Sequence, residues 1–204
     1  MHEVKEHSLA RFRTQLAETR ALLGDRLALY QVHSLTADSP LFDDPALLSE
    51  LAESGVRLGF STSGPAQPDA IRRAVELGLF TAVQSTWNAF EPSVGPALAE
   101  AHAAGLHVLV KEPLANGRLA VEPPAPVAEI AAAHGVGADA VALAFALAQP
   151  WADTVLLGPA SVAQLDSNLG ALTVLLTAPE LDALAALAQP PAGYWTARSG
   201  LEWR

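Results

Sequence analysis

The sequence predicts a parallel α/β fold of the (β/α)8 barrel type. Three observations carry the prediction. Short runs rich in apolar and β-branched residues alternate with helical patterns at intervals of roughly 25 residues, as parallel strands joined by right-handed crossovers do. No GxGxxG follows any of these runs, and in the nearest stretch, GFSTSGP, the glycines are wrongly spaced for the phosphate turn of an open doubly wound sheet. Residues with usable chemistry fall at the carboxyl ends of several runs, at His33, Ser61, Gln84, Lys111 and Gly158, which is where a barrel assembles its site.

The elements follow in order. Ser8 to Leu23 sets Leu9, Phe12, Leu16, Leu22 and Leu23 near one helical face, with Ser8 as N-cap and Gly24 as stop. Leu27 to His33 (LALYQVH) alternates like a buried strand and ends on a histidine, which either serves chemistry or merely caps a core strand. After a polar loop, Asp44 caps a helix from Pro45 to about Glu53, closed at Gly55. Val56 to Ser61 is a strand, Pro68 to Leu77 a helix stopped by Gly78, Phe80 to Gln84 a strand, and Ser93 to Ala104 a helix stopped by Gly105. His107 to Lys111 is a strand followed by a turn-rich loop, EPLANGRL, and a proline-rich helix entry at Val121 to Pro126. Val127 to His134 and Asp139 to Leu147 are two helical pieces broken at Gly135 to Gly137. Thr154 to Leu157 is the fifth strand, with a helix from about Val162 to Leu172, and Thr177 caps a last helix, Pro179 to Leu187.

Composition narrows the partners. Half of the 204 residues are hydrophobic, enough for a sizeable core in one domain. Twelve Lys and Arg against 22 Asp and Glu give a formal charge of −10, which repels nucleic acid and anionic lipid. Cysteine is absent, so disulfides and thiolate metal sites are excluded, in agreement with a reducing compartment. MHEVKEHS has no apolar signal core, and no apolar run reaches the roughly 18 to 20 residues needed to span a bilayer. The expectation is a soluble cytoplasmic protein. The histidines at 2, 7, 102, 107 and 134 have no metal-ligand spacing, so no metal is expected.

The order LYQVH, RLGFSTSGP, TAVQSTWN, GLHVLVKEPLANGRL and TVLLGPASVAQLDSNLGAL resembles the carboxyl-terminal two-thirds of an aldo/keto reductase, over nearly the whole chain. The resemblance implies a (β/α)8 barrel that holds NADPH across the strand ends and passes hydride to a small-molecule carbonyl substrate. It makes His33 the histidine that orients the substrate oxygen. Ser61 matches the serine of a Ser-Asn pair on the nicotinamide amide, with Thr62 in the asparagine's place, and Gln84 completes that clamp. Lys111 stands where many members stack a tyrosine on the nicotinamide. Leu114 and Gly117 match the segment over the pyrophosphate, and Leu157 and Gly158 the Pro-Gly at the adenine end. Ser161 and Gln164 fall where the 2′-phosphate is gripped, and Asn168 matches the asparagine on adenine. The arginine expected near Gln164 is absent, which leaves NADH open beside NADPH.

Each residue also has a plainer reading. Ser61 and Thr62 suit a turn or cap, Lys111 and Glu112 a surface pair, and Asn168 a solvent-facing position. Trp87, Trp195 and Trp203 could line a cleft or simply pack.

By the same resemblance, three strand-helix units and the aspartate, tyrosine and lysine of a catalytic tetrad precede this chain. Lys5 lies just downstream of the expected lysine, and Tyr30 sits inside a strand. The expectation is one domain over 1–204, amino-terminally truncated, with a tail at 188–204, about five strand-helix units and two open strand edges. Such a chain does not reduce carbonyls alone, and it could be a nucleotide-binding remnant or associate with another chain through those edges.

Overall fold

Five parallel strands lie side by side in chain order: β1 (Tyr30–Val32), β2 (Leu58–Ser61), β3 (Ala82–Thr86), β4 (His107–Lys111) and β5 (Thr154–Val155). This computed structural model describes residues 6–201, so His2, Lys5 and Trp203 fall outside the described residues. Between the strands run α2 (Pro45–Glu53), α3 (Gln67–Leu77), α4 (Gly95–Ala103), and the pair α5 (Ala125–His134) and α6 (Ala138–Leu147). Helix α1 (Leu9–Leu23) precedes the sheet, and α7 (Val162–Leu169), α8 (Ala178–Ala185) and α9 (Pro191–Ser199) follow it. The alternation expected from the sequence is therefore present as a partial (β/α) barrel.

The helix ends obey local chemistry. Ser8 caps α1 by accepting from the Arg11 amide, and Asp44 accepts from the Ala46 and Leu47 amides ahead of Pro45. Thr177 and Glu180 form a reciprocal capping box at α8. Gly78 and Gly135 end α3 and α5 in the left-handed region, at φ +65° and +66°. The break at Gly135 to Gly137 lets α5 and α6 meet at 94°.

Register decides what each strand residue faces. Ser61 pairs with Gln84, which pairs with Leu109, which pairs with Thr154. With a side-chain period of two, Phe60, Val83, Val108 and Val110 point to the helices, where all four are fully buried. Burial of a Val or Phe side chain contributes about 1.5–3 kcal/mol, so this face anchors the sheet. The opposite face, the barrel interior, carries Gln31, Gly59, Ser61, Ala82, Gln84 and Leu109. A Cβ on Gly59 would come within 3.1 Å of both the Gln31 Cγ and the Ala82 carbonyl oxygen, so only glycine lets Gln31 lie across its neighbour. The Gln31 Oε1 is buried with no hydrogen-bond partner among the described residues.

Several boundaries differ from the sequence expectation. β1 is only Tyr30–Val32, because Leu27 belongs to the exit from a 3-10 turn at Gly24–Arg26. β3 starts and ends two residues later than Phe80 to Gln84. Phe80 instead packs its ring 4.9 Å from that of Phe60, and Gln67 holds the strand to Thr86. The expected 188–204 tail contains α9. Its Tyr194 is fully buried, accepts a bond of 2.9 Å from the Asn88 amide, and lies under the Arg118 guanidinium at 4.6 Å. Arg198 pairs with Glu112 at the end of β4. Trp87 is core, 5.1 Å from Phe145 and 5.5 Å from Trp151 between ring centres. Among the described residues no single helix is long and apolar enough to cross a membrane.

Beneath α9 the Asn88–Glu91 turn buries Glu91 completely. One carboxyl oxygen accepts from Ser93, and the other has no partner among the described residues. Burial raises its pKa above the ordinary carboxyl value. The folded state then holds the proton more tightly than the unfolded chain. The resulting stability is complete below the unfolded pKa and is lost as pH rises through the folded one. Glu91→Gln should therefore raise the melting temperature above neutral pH, by on the order of 1 kcal/mol of stability, and give no gain near about pH 4. A pH series of thermal melts checks this, and an equal or lower melting temperature at alkaline pH would contradict it.

Candidate active site

Loops held in unusual conformations edge the carboxyl end of the sheet. Ser34, just past β1, and Glu112, just past β4, have φ of +51° and +56°, and Ala115 and Asn116 follow at +50° and +57°. Non-glycine residues rarely adopt such angles, and they concentrate where a loop is shaped for binding or chemistry.

At the β1 end, His33 is exposed and borders a cavity of about 680 Å³ between α1, β1 and α2. Its backbone is fixed from two sides. The Ser34 amide donates to the Ser61 hydroxyl at 2.9 Å, and the Leu35 amide to the Ser61 carbonyl at 2.7 Å. A carbonyl only accepts, so His7 Nε2–H donates to the His33 carbonyl (3.0 Å), and His7 Nδ1 accepts from the Ser39 hydroxyl (2.7 Å). These bonds position His33 at the rim.

Ser61 and Thr62 part company after β2. Ser61 lies on the interior face beside Gln84, although its hydroxyl already accepts from Ser34. Thr62 is fully buried on the helix side, and its hydroxyl donates to the Ser85 hydroxyl at 2.9 Å. Ser85 in turn donates to the Gln67 Oε1 at 2.9 Å, and Gln67 also bonds the backbone of Thr86. The cofactor role that the sequence suggests for Thr62 is not what this geometry provides. Its side chain alternates away from the interior and ties β2 to β3 and α3. Gln84 is half-buried on the interior face, and its amide bonds no described residue.

The β4 and β5 ends frame a second cavity of about 780 Å³, within the size range of small-molecule sites. Leu114, Gly117, Leu157, Gly158, Gln164 and Asn168, six residues singled out from the sequence, all line it. Gly117, at φ +88°, turns the loop across its mouth, donating its amide to the Leu114 carbonyl at 3.0 Å. Ser161 instead caps α7, accepting from the Gln164 amide, while Gln164 Oε1 accepts from the Ala160 amide. Lys111 pairs with Thr86 across the sheet but does not border the cavity. The surface pair suggested for Lys111 and Glu112 is replaced by Glu112 with Arg198.

Asn168 is buried, not solvent-facing. Its amide donates to Asp139 Oδ2 at 2.6 Å, and Ser167 donates to Asp139 Oδ1 at 2.8 Å. Asp139 also lines the cavity. Sequence reasoning passed over it because it looks like an ordinary first-turn acid of α6, while its partners lie 28 and 29 residues away. The Asn88–Tyr194 bond spans 106 residues and carries no local signal either. Among the described residues no group of three His, Asp or Glu side chains could hold a metal ion.

The sequence profile of the aldo/keto reductase family matches residues 4–189. The chain belongs to the aldo/keto reductase family. Solved structures with the same fold include one provisionally described as 2,5-diketo-D-gluconic acid reductase B, with 24% identity, a TM-score of 0.73, and coverage of 89% of this chain and 64% of that one. The holo form of the aldo-keto reductase AKR11C1 from Bacillus halodurans has 22% identity and a TM-score of 0.70, over 90% of this chain and 69% of that one. The thermostable aldo-keto reductase Tm1743 in complex with the inhibitor epalrestat has 22% identity and a TM-score of 0.71, over 87% and 66%. This aldo/keto reductase chain thus spans slightly less than two thirds of the first of these. No curated protein matches its sequence at a significant level.

Thr62→Val should cost about 1 kcal/mol of stability by stripping the donor from Ser85. Gln84→Ala should leave the melting temperature nearly unchanged, because its side-chain amide bonds no described residue. Thermal melts of both variants check this, and an unchanged melting temperature in the Thr62 variant would contradict it.

Proposed function

We propose that this chain binds a nicotinamide dinucleotide along the carboxyl ends of its strands and serves hydride transfer to an aldehyde or ketone. The observation that carries the reading is the cavity of about 780 Å³, because it brings six of the sequence-derived cofactor residues together from the β4 loop, the β5 loop and α7. The residues present fit the group. A buried Asn168, a Gly158 with open space where a side chain would begin and the tight turn at Gly117 suit a nucleotide end, and the unbonded Gln84 amide suits a carboxamide. When bound, the dinucleotide supplies the hydride. The chain supplies position, with Gln84 and Ser61 at the nicotinamide amide, Lys111 with its aliphatic stem beside the ring, and Leu114 and Gly117 over the pyrophosphate. Asn168 and Gly158 hold the adenine end. The resemblance alone implies NADPH, and the absence of an arginine near Gln164 leaves NADH open. His33 orients the carbonyl through an imidazole N–H, which also steadies negative charge developing on that oxygen.

A proton donor is a separate matter. The chain has two tyrosines. Tyr30 borders the same cavity as His33 but packs edge-on against Phe12 at 5.8 Å on the helix side, and the hydroxyl of Tyr194 is engaged by Asn88. Neither shares the interior face with His33, so we propose that turnover needs a donor from outside residues 6–201. The two sheet edges favour a second reading, association with another polypeptide, since among the described residues β1 pairs only with β2 and β5 only with β4. The lack of cysteine fits a cytoplasmic setting.

Calorimetric titration with NADP⁺ and NAD⁺, followed by an assay on a panel of aldehydes, tests the proposal. At least one dinucleotide should bind, Asn168→Ala should weaken it several-fold, and the chain alone should show no reduction of aldehydes. No heat from either dinucleotide would sink the binding reading. Turnover abolished by His33→Ala would show that the donor lies within the chain.

A further inference from the structure

The charge around the second cavity separates the two forms of the cofactor. Its lining contains two carboxylates, Asp139 and Glu112, and neither lysine nor arginine. Glu112 is neutralised by Arg198. Asp139 has only the neutral donors Ser167 and Asn168, so its negative charge stands in the cavity wall uncompensated by a cation among the lining residues. The nearest arginine in sequence to the cavity turn, Arg118, is turned away. Its Nε donates to the Ala115 carbonyl at 3.0 Å, and its guanidinium lies over the rings of Tyr194 and Phe90.

The other ordinary means of holding a phosphate is the amino end of a helix, and at α7 part of that end is already used. At α7 the Gln164 amide donates to the Ser161 hydroxyl, and the Ala160 amide donates to Gln164 Oε1. A dianionic group entering beside Gln164 would meet a carboxylate and no lysine or arginine among the lining residues. An uncharged ribose edge would meet hydrogen-bond acceptors that suit its hydroxyls, as a carboxylate suits a ribose diol in other dinucleotide sites.

We infer that this chain is selective for NADH and NAD⁺ over NADPH and NADP⁺, with Asp139 as the discriminating residue and Gln164 as its neutral companion. The inference rests on the reading of the cavity as the adenosine end of a nicotinamide dinucleotide site. Asp139 discriminates by repelling the 2′-phosphate from the cavity wall.

Titration of the whole chain with NAD⁺ and NADP⁺ at low salt tests it by binding alone. NAD⁺ should bind about tenfold tighter or better, a difference on the scale of one unfavourable charge contact. Asp139→Asn should narrow that gap chiefly by improving NADP⁺, and Gln164→Arg, at an exposed position that does not threaten folding, should do the same or invert it. NADP⁺ binding as tightly as NAD⁺ to the unaltered chain overturns the selectivity and leaves the cofactor site standing. A gap that neither substitution changes overturns the assignment to this cavity wall. Failure of both dinucleotides to bind overturns the cofactor reading, and the selectivity with it.

Discussion

One constraint sets everything at the rim, the register of β2 on β3 and of β3 on β4. Because side chains alternate with a period of two, pairing Ser61 with Gln84 and Gln84 with Leu109 fixes the face of every neighbouring residue. A shift by one would send Phe60, Val83 and Val108 into the interior and Ser61 and Gln84 into the helix layer. The fully buried apolar set opposes that strongly. Gln67 strengthens the same register with a polar clamp, since its amide reads Ser85 and Thr86 together and Ser85 accepts from Thr62. Broken singly, each bond of that clamp would leave a buried partner unsatisfied.

The two faces of the sheet therefore have unequal status. The helix face is finished, apolar and closely filled. The interior face is narrow, with Gly59 and Ala82 giving room to Gln31, whose Oε1 lacks a described partner. Among the described residues, a five-stranded sheet with both edges unpaired does not close around that interior. The arrangement makes sense of a chain that overlaps its structural relatives along most of its own length while spanning 64% to 69% of theirs. It also explains why the two cavities differ. The one at β1 sits beside an open edge, whereas the one at β4 and β5 is walled by loops, α6 and α7 within the chain itself.

The strand and helix order was legible because it rests on local chemistry, such as the Asp44 cap with Pro45 and the glycine stops at Gly78 and Gly135. His107–Lys111 was legible to the residue, being apolar and β-branched between clear turn formers. The shift of β3 was not, because it is settled by Gln67 on another element. Helix α9 was hidden behind two prolines and polar residues, and its place depends on Tyr194 reaching Asn88 and Arg198 reaching Glu112. At the site, residues on turns and strand ends could be anticipated one by one. What sequence could not separate was Ser61 from Thr62, adjacent and chemically alike, since only the sheet decides that one faces inward and the other outward.

Fixing His33 and fixing the second cavity are consequently two different tasks in this chain. His33 is placed by backbone bonds from Ser34, Leu35 and His7, none of which depends on the β4 or β5 loops. The cavity is placed by the α5–α6 break, the Gly117 turn and the Asp139 bonds to α7. Ser61 and Gln84, paired in the middle of the sheet, are the link between them. A ligand long enough to run from Asn168 past Gln84 to His33 would cross that link and use all three regions at once. A compact ligand could occupy only one. The proposed dinucleotide, with one head at each end, is the kind of ligand that would use all three.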